Sequence, residues 1–380
     1  MLILLVACWL LTFLYLLLMI QYARGWNRVA EAEYLPHTPP GTKISVIIPA
    51  RNERANIMNC LQSILRNNYP AHLLEVIVVD DHSTDKTAAL VAELKHPNVR
   101  CIRLEEVLSG MGALNSYKKK ALEAGIAHSS GELILTTDAD CVVPDNWLQV
   151  LVQEFERSAP VMIAAPVVFW ENGKFSGLFQ QIDFMTLQGI TAASWFLRFG
   201  YMCNGANLAF SREAFDAVGG YRGIDHLASG DDLLLMMKMA EKFPGRIAYV
   251  KAEQATVATA PQPGWGSFFS QRVRWASKSG KYKDHRLTAV LLLVYLFNLS
   301  FPVLFLAGFT ESFFWLFLLG MLFLKTAAEL YFLLPVAAFF GKTKTLRWFP
   351  LMQPIHIGYI IAAGFLGMIG NYSWKGRRVR

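Results

Sequence analysis

The feature that most constrains this chain is its first 23 residues, Met1 to Ala23, which contain no charged side chain. A helix needs about 20 apolar residues to cross the hydrocarbon core of a bilayer. A cleaved signal peptide would show a basic start and a small-residue cleavage site, and this segment has neither. We therefore expect a retained membrane anchor over 1–23. Arg24 and Arg28 follow directly, which by the positive-inside tendency places the next segment in the cytoplasm.

A second apolar block runs from Leu287 to about Gly370, and polar breaks at 308–312 and 341–348 divide it into three candidate spans. We expect a C-terminal membrane domain of two to three helices over 287–370. Three spans after a cytoplasmic domain would put the basic tail outside, against the positive-inside tendency. Either one segment is re-entrant or interfacial, or the tendency fails here. The candidate for the irregular segment is 349–365, which contains two prolines and a histidine.

Lys325 and Glu329 are two charged residues inside the middle candidate span. They are four residues apart, so they can pair on one face of a helix. Charged residues within a membrane segment also mark ion pathways. We expect mutual neutralisation within the bundle, with an ion path as the alternative.

Between the apolar blocks, short β-branched runs alternate with helical patterns. Strands are predicted at 44–49, 75–81, 99–104 and 132–140, and helices at 54–67, 84–95 and 118–129. This alternation predicts an α/β domain whose parallel sheet carries helices on both faces. Thr84 is expected to cap the second helix, and Asp145 the helix that follows the fourth strand.

Four acids stand where two of the predicted strands end. Asp80 and Asp81 end the second strand, and Asp138 and Asp140 end the fourth. In such sheets ligands sit beyond the carboxyl ends of the strands, and all four acids line one rim if the first strand lies between those two. Two close carboxylates repel unless a cation or a proton relieves them. The D-x-D spacing suits Mg²⁺ or Mn²⁺, which takes one or two carboxylates plus phosphate oxygens; helix capping is the alternative role.

Cysteine spacing and net charge limit the metals and partners that we expect. The five cysteines show no C-x-x-C spacing, so we expect neither disulfides nor structural zinc. A net charge of +7 suits a protein in contact with anionic membrane lipids. No recognition motif for nucleic acid accompanies that charge, so no nucleic-acid partner is expected.

Six segments occur in an order known from one enzyme family: "SVIIPARNE" at 45–53, "VVDDHSTD" at 78–85, "KKKALEAGI" at 118–126, "TTDADC" at 136–141, "SGDDLLL" at 229–235 and "QRVRW" at 271–275. Together they resemble the membrane-bound inverting glycosyltransferases of family 2, which include the synthases of cellulose, chitin and hyaluronan and the ceramide glucosyltransferases. The resemblance covers 43–275 and implies a GT-A fold, with the catalytic domain over 43–285. It departs at Tyr117, where the family's helix-opening motif usually has glycine.

The resemblance also implies roles in donor binding. Glu53, Asp80 and Asp81 would hold the base and ribose of a nucleotide-sugar, with a UDP-sugar favoured, because carboxylates accept short, charge-assisted hydrogen bonds. Lys118 would face the diphosphate or the donor sugar as a point charge, with a solvated helix start as its alternative role. Asp138 and Asp140 would be ligands of a Mg²⁺ or Mn²⁺ that bridges the diphosphate. Their neighbours Lys119 and Lys120 are expected to be solvated residues at a helix start.

Asp232 matches the family's general base, and Asp231 precedes it. Inversion needs a base opposite the leaving group, which takes the proton of the acceptor hydroxyl; the alternative is that "GDDLL" is only a helix N-terminus. Gln271, Arg274 and Trp275 match the family's last motif, in which Arg pairs a diphosphate oxygen and Trp stacks on an acceptor ring. Their alternative role is that of interfacial residues before a membrane helix. Segments 204–210 and 218–221 resemble the acceptor side, although glycines there more often form turns.

We therefore expect a metal-dependent inverting hexosyltransferase of the cell envelope, working on the cytoplasmic face on a lipid or lipid-linked glycan acceptor. The alternative is a processive polysaccharide synthase. A transporter would not need a large domain with an acidic rim, and a degenerate scaffold of the same fold would have lost the acids. A nucleotidyltransferase would have no use for "QRVRW" beside the bilayer.

Overall fold

The computed structural model describes residues 1–36, 38–109, 116–198, 200–227, 230–277, 285–369, 372–374 and 377–379. Contacts divide the chain into two compact units. The sheet unit comprises 30–170 and 202–260, and the helical unit comprises 1–29, 171–201 and 261–380. The predicted domain boundaries at 23, 43, 285 and 287 stay a prediction.

The strands of the sheet unit form two sheets. They are β1 Ile44–Ala50, β2 Leu74–Asp80, β3 Val99–Arg103, β4 Leu133–Thr136, β5 Cys141–Val142, β6 Met162–Ala164, β7 Val167–Phe169, β8 Leu208–Ser211, β9 Ile247–Tyr249 and β10 Val257–Thr259. The larger sheet has the order β3-β2-β1-β4-β8-β6-β9, and the smaller one has the order β5-β10-β7. The first four strands run parallel, while β8 pairs antiparallel with β4 and with β6. The expected α/β class is confirmed, and β1 does lie between β2 and β4.

The helices of the sheet unit connect these strands. They are α2 Ile57–Leu65, α3 Thr87–Glu93, α4 Leu104–Val107, α5 Tyr117–Ala127, α6 Trp147–Ser158, α8 Arg212–Ala217 and α9 Leu233–Lys242, with short three-ten helices at Ala71–Leu73 and Glu253–Ala255. Ile47 and Ile48 point to opposite faces of the sheet and are both fully buried, so both faces are covered. On the Ile47 face α5 approaches closely at Gly125, where a Cβ would come within 2.5 Å of Ile47 Cγ2.

Two predicted helix caps are wrong. The helix α3 begins at Thr87 rather than after Thr84, because the Asp85 carboxylate accepts from the Thr87 backbone N–H at 2.9 Å. The N-cap of α6 is Asn146, without a side-chain cap, and the exposed Asp145 instead faces Arg66 at 4.0 Å.

The helical unit is built mainly from long apolar helices, together with one shorter and more polar helix over Trp265–Ala276. They are α1 Leu2–Arg28, α7 Phe175–Leu197, α10 Trp265–Ala276, α11 His285–Ala307, α12 Phe313–Phe339 and α13 Phe349–Ile369, with a three-ten helix at Thr343–Trp348 and short strands β11 Tyr372–Trp374 and β12 Arg377–Val379. Within the described part of the chain, four segments are long and apolar enough to cross a membrane: Leu2–Arg28, His285–Ala307, Phe313–Phe339 and Thr343–Met368. The breaks expected at 308–312 and 341–348 are confirmed.

The segment 349–365 is more regular than its prolines suggested. It forms the continuous helix α13, and the irregular backbone is the three-ten helix before it. Pro350 lies in the first turn, where a missing N–H removes no helical bond. Pro354 therefore interrupts the pattern at one position only. The expectation that this segment is re-entrant or interfacial stays a prediction.

Small residues let α7 pack tightly in the helical unit. A Cβ on Gly25 of α1 would lie 2.9 Å from the Ala193 carbonyl oxygen of α7. A Cβ on Gly189 would lie 2.7 Å from Val336 and 2.8 Å from Phe332, both in α12. Such close approach at small residues is typical of helix packing in membranes. There, helices associate through van der Waals packing rather than through the hydrophobic effect, and small residues allow that packing.

Candidate active site

The carboxyl ends of three parallel strands form the centre of the candidate site. Asp80, the last residue of β2, pairs in register with Ala50 at the end of β1. The strand β4 ends at Thr136, opposite Ile47 of β1, and Asp138 and Asp140 follow it. The acids of both strands therefore lie at the same edge of the sheet, as the sequence predicted.

Asp80 and Asp81 are both buried but are satisfied to different degrees. Asp81 accepts from His82 Nδ1 at 2.9 Å, and its carbonyl oxygen accepts from Arg51 at 2.9 Å. Asp80 Oδ2 accepts from the Ser83 backbone at 3.2 Å. Asp80 Oδ1 is buried, and no residue in the described ranges donates to it. An unsatisfied buried carboxylate oxygen is rare in native proteins and fits a ligand donor such as a base N–H or a ribose hydroxyl.

The loops that follow β1 and β2 are tied together around Glu53. The Glu53 backbone N–H donates to Thr87 Oγ1 at 2.9 Å, and the Arg54 N–H donates to Asp85 at 3.0 Å. Glu53 Oε2 accepts a local hydrogen bond from Asn56 at 2.9 Å. The half-buried residue is thus held both at its backbone and at its carboxylate.

Lys118 connects two of the motifs. Its ammonium lies 2.7 Å from Asp138 Oδ1 and 3.4 Å from Asp231 Oδ2. Burial alone would lower the pKa of the Lys118 ammonium, but the charges of Asp138 and Asp231 outweigh it and hold that pKa above its ordinary value. A permanent cation therefore sits between the acid after β4 and the acid before α9.

Asp232 lies beside this cluster, at the N-terminus of α9. Its Oδ1 accepts from the Leu233 backbone at 2.7 Å, and its Oδ2 accepts from the Gly205 backbone at 3.1 Å. The expectation that "GDDLL" opens a helix is confirmed, since Asp232 is the N-cap. Asp232 is half-buried, whereas Asp231 is buried. Ser229 of the same motif lies outside the described residues.

Asp138 and Asp140 offer only oxygen ligands to a metal. Among the residues that the structure describes, no group of three or more His, Cys, Asp and Glu could hold an ion. Burial, followed by the charges of Asp140 and Asp138, raises the pKa of the neighbouring Cys60 thiol. Two carboxylates fit Mg²⁺ or Mn²⁺ when phosphate oxygens of a substrate complete the coordination. Lys118 already shows that this position attracts a cation.

The motif "QRVRW" belongs to the helical unit, in α10. Its buried member is Arg272, which the sequence did not single out. Gln271 Oε1 accepts from Arg272 Nη1 at 2.9 Å, and the Arg272 guanidinium lies 4.2 Å from the centroid of the Trp275 ring. Arg274 and Trp275 are half-buried.

Sequence reasoning missed several residues around the acids. Lys119, expected in solvent, is buried and donates to the carbonyl oxygens of Ile224 and Leu227 at 2.7 and 2.6 Å, so that prediction is wrong. The segment 221–227 needs these donors because its carbonyl groups lie outside helices and strands and so lack regular backbone partners. Gly205 is a contact, because a Cβ there would lie 3.4 Å from Asp231 Oδ2. Nothing in residue type or spacing marks either role.

Other predicted features are a glycine turn and the departure from the family pattern. Gly219 and Gly220 have φ of 71° and 53°, which confirms that they form a turn. Tyr117, the departure from the family pattern, packs its ring edge-on against His82 at 5.5 Å.

Comparisons with known proteins identify the family of this chain. The family model described as glycosyl transferase family group 2 matches residues 133–341, and that of glycosyl transferase family 2 matches 45–219. A β-monoglucosyldiacylglycerol synthase from Synechocystis sp. is 28% identical over 63% of this chain and 48% of its own. A poly-β-1,6-N-acetyl-D-glucosamine synthase from Staphylococcus epidermidis is 25% identical over 61% of this chain and 53% of its own. The chain thus spans about half the length of these curated relatives.

One solved structure shares the fold. It is a mannosyltransferase from Pyrobaculum calidifontis in complex with GDP-Man and Mn²⁺, with a TM-score of 0.61 and 21% identity. The match covers 96% of this chain and 98% of that one. The expected GT-A fold with attached helices is therefore confirmed.

Proposed function

We propose that this chain, which belongs to the family 2 glycosyltransferases, moves one sugar from a nucleotide-sugar to a lipid or lipid-linked acceptor with inversion. The observation that carries the proposal is the Lys118 ammonium, which joins Asp138 and Asp231. It brings together two motifs with separate roles, one for the diphosphate and one for the acceptor. A monoglucosyldiacylglycerol synthase among the relatives supports a lipid acceptor.

Donor binding is assigned to the acids at the sheet edge. Asp80 offers a buried oxygen that lacks a donor in the described structure, and Asp81 lies beside it between Arg51 and His82. Asp80, Asp81 and Glu53 would hold the base and ribose. Lys118 would exchange a carboxylate for a diphosphate oxygen, since an ammonium pairs well with either. We propose that Gln271, Arg274 and Trp275, which match the family's last motif, bind the donor and the acceptor.

Asp138 and Asp140 would hold Mg²⁺ or Mn²⁺ together with the diphosphate. The bound ion would neutralise the charge that develops on the leaving nucleoside diphosphate. That a structure of the same fold contains Mn²⁺ supports this assignment.

Asp232 would act as the general base. It removes the proton of the acceptor hydroxyl while the hydroxyl oxygen attacks the anomeric carbon. The bond from that carbon to the diphosphate oxygen breaks, and the nucleoside diphosphate leaves on the opposite face. The products are the glycoside, the nucleoside diphosphate and one proton.

The test is transfer by detergent-solubilised protein from a panel of UDP- and GDP-sugars to diacylglycerol and lipid-linked acceptors, with Mn²⁺ or with a chelator. We expect metal-dependent formation of a single-sugar product, identified by mass spectrometry. Absence of transfer or hydrolysis with every donor would contradict the proposal. The panel includes both nucleotides because GDP-Man is bound in the mannosyltransferase, whereas the sequence favours a UDP-sugar.

The variant Asp140→Asn tests the metal assignment. Removing one ligand charge leaves the diphosphate less compensated, so turnover should fall by at least ~100-fold, the scale of losing one electrostatic stabiliser. Donor and metal binding, measured by calorimetry, should weaken together while the fold survives. Chelator-insensitive activity at the wild-type level would reject the metal.

A processive polysaccharide synthase is the second candidate. The observation in its favour is the similarity to the poly-β-1,6-N-acetyl-D-glucosamine synthase. The same mass spectrum separates the two, because a polymerising enzyme would give a ladder of products of increasing length.

A further inference from the structure

A buried ion pair holds α10 in the helical unit. The Arg272 guanidinium donates through Nε and Nη2 to Asp183 Oδ2 of α7, with the Nε bond at 2.9 Å. Both side chains are only 4% exposed. Arg272 therefore contacts its partner through two of its donors, a geometry that fixes both distance and orientation.

Arg272 also contacts the motif residues on either side of it. It donates to Gln271 Oε1 at 2.9 Å, and its guanidinium contacts the rings of Phe268 and Trp275, at 4.6 and 4.2 Å from their centroids. The carbonyl end of Gln271 is thereby turned toward Arg272. The side chains of Gln271 and Trp275 are thus set by the position of one guanidinium.

Asp183 is in turn fixed by α13. Tyr359 donates to Asp183 Oδ1, and His356 Nε2 lies 4.0 Å from the same oxygen. His356 Nδ1 accepts from Lys325 of α12 at 3.3 Å, since an ammonium has only donors. Asp183 thus has contacts on two helices besides its own.

The network continues through the candidate spans. The predicted pair of Lys325 and Glu329 is confirmed at 2.7 Å, and both residues bind Gln353 of α13, at 2.6 Å each. Tyr15 of α1 donates to Glu329. A continuous set of polar contacts therefore runs from α1 to α10 through three other helices.

We propose that Asp183 and Arg272 are positioning residues of the transfer reaction, which hold Gln271 and Trp275 in the orientation that their role requires. The inference rests on the proposed function. Stability alone is a poor explanation for such a pair, because buried ion pairs can often be replaced by apolar residues without loss of stability. The two donors of Arg272 that bind Asp183 fix the orientation of the guanidinium, which an apolar contact cannot do.

The deciding experiment compares the full-length double variant Asp183→Leu with Arg272→Met against wild type. Removing both charges leaves no unpaired ion, so the variant should still fold, with a thermal midpoint in detergent lowered only by the loss of the acceptor of the Tyr359 hydroxyl. Transfer should still fall by about 10–100-fold, the scale expected when a contact group shifts by about 1 Å. Arg272→Lys keeps the charge but not the fork, so it should retain an intermediate activity. We would measure kcat and KM for the donor that the panel selects.

The matched control is Glu171→Gln, which removes an exposed ion pair of the same unit, with Lys342 at 2.8 Å. Transfer should be unchanged in it. A stable double variant with wild-type kcat/KM would overturn the inference alone. If the double variant does not fold, Arg272→Lys decides, and wild-type activity in it overturns the inference. A wild-type protein inactive with the whole panel would overturn the proposed function instead.

Discussion

Single residues of the acidic cluster differ in what already holds them. Asp138 and Asp231 share the Lys118 ammonium, whereas Asp232 accepts only backbone N–H groups, from Leu233 and Gly205, among its described hydrogen bonds. A backbone N–H orients a carboxylate without forming an ion pair with it, although the Asp232 charge still acts on the Lys118 ammonium. Asp232 is also more exposed than Asp231, so an acceptor hydroxyl can reach it more easily. Both differences favour Asp232 as the base.

We predict that Asp232→Asn lowers transfer by roughly 10²–10⁴-fold, the contribution of a general base. Asparagine caps helices about as well as aspartate, so α9 should keep its N-terminus. Donor binding, measured by calorimetry, should stay near the wild-type value because Asp232 serves the acceptor.

Asp231→Asn is the matched variant, one residue away. It removes one carboxylate from Lys118, so it should alter donor binding more than base catalysis. If Asp231→Asn abolishes transfer and Asp232→Asn does not, the base is Asp231. If neither change matters, the proposed mechanism is wrong.

Among the elements of the fold, the parallel strands are joined at their amino ends by Glu75 of β2. Its carboxylate accepts from Ser45 of β1, from Ser130 at 3.0 Å and from the Gly131 N–H at 3.2 Å, and it pairs with Arg100 of β3 at 3.1 Å. Burial alone would raise the pKa of the Glu75 carboxyl. The hydrogen bonds and the Arg100 charge outweigh it and hold that pKa below its ordinary value of 4.5.

A carboxyl group whose pKa is lower in the folded protein than in the unfolded chain stabilises the fold. This stabilisation is fully present at pH values above the pKa of the unfolded chain, and it is lost as the pH falls through the pKa of the folded protein. We therefore predict that Glu75→Gln lowers the free energy of unfolding by about 1 kcal/mol at pH 7. The difference from wild type should shrink as pH falls below about 4.5, the ordinary pKa. Thermal unfolding measured from pH 3 to pH 8 checks this. A difference that does not change with pH would show that the carboxylate charge is irrelevant.

Helix packing in the helical unit gives a second prediction at this scale. Gly25→Ala places a Cβ 2.9 Å from the Ala193 carbonyl oxygen, so α1 and α7 must separate. We expect a loss of about 1–3 kcal/mol, the usual cost of overpacking, seen as a lower thermal midpoint. Gly320→Ala is the control, because a Cβ there meets no atom within 4 Å in the described structure. It should raise the midpoint slightly, since alanine favours helices.

The whole molecule must place its sheet unit on one side of the membrane. By the positive-inside tendency, Arg24 and Arg28 favour the cytoplasm for the segment that follows them, and the proposed nucleotide-sugar donor would have to be available on that side. We predict that Ala92→Cys, exposed on α3, reacts with an impermeant thiol reagent only after cells are opened. Thr310→Cys, exposed between α11 and α12, should react in intact cells.

The wild-type protein is the control for this labelling. Its five cysteines are buried or half-buried, so it should react little with the reagent. Labelling of Ala92→Cys in intact cells would place the sheet unit outside. It would also remove the reason for expecting a nucleotide-sugar donor.

The sequence by itself determined the first four strands, the long apolar segments near both ends of the chain and the edge at which the acids gather. The strands and helices follow from the periodicity of apolar residues along the chain. The edge follows from the common direction of parallel strands, so Asp80 and Asp138 could be assigned to one rim before any contact was known. The Lys325–Glu329 pair was likewise readable from i,i+4 spacing.

Only the tertiary structure decided which polar groups are buried together. Lys119 and Arg272 look like solvated cations in the sequence, yet each is buried because carbonyls of a distant loop, or an acid of another helix, accept from it. Asp85 rather than Thr84 holds the start of α3 for a similar reason, since the loop after β1 also binds it. Partners far apart in sequence leave no local pattern, and their hydrogen bonds outweigh the preference of a charged or polar side chain for water.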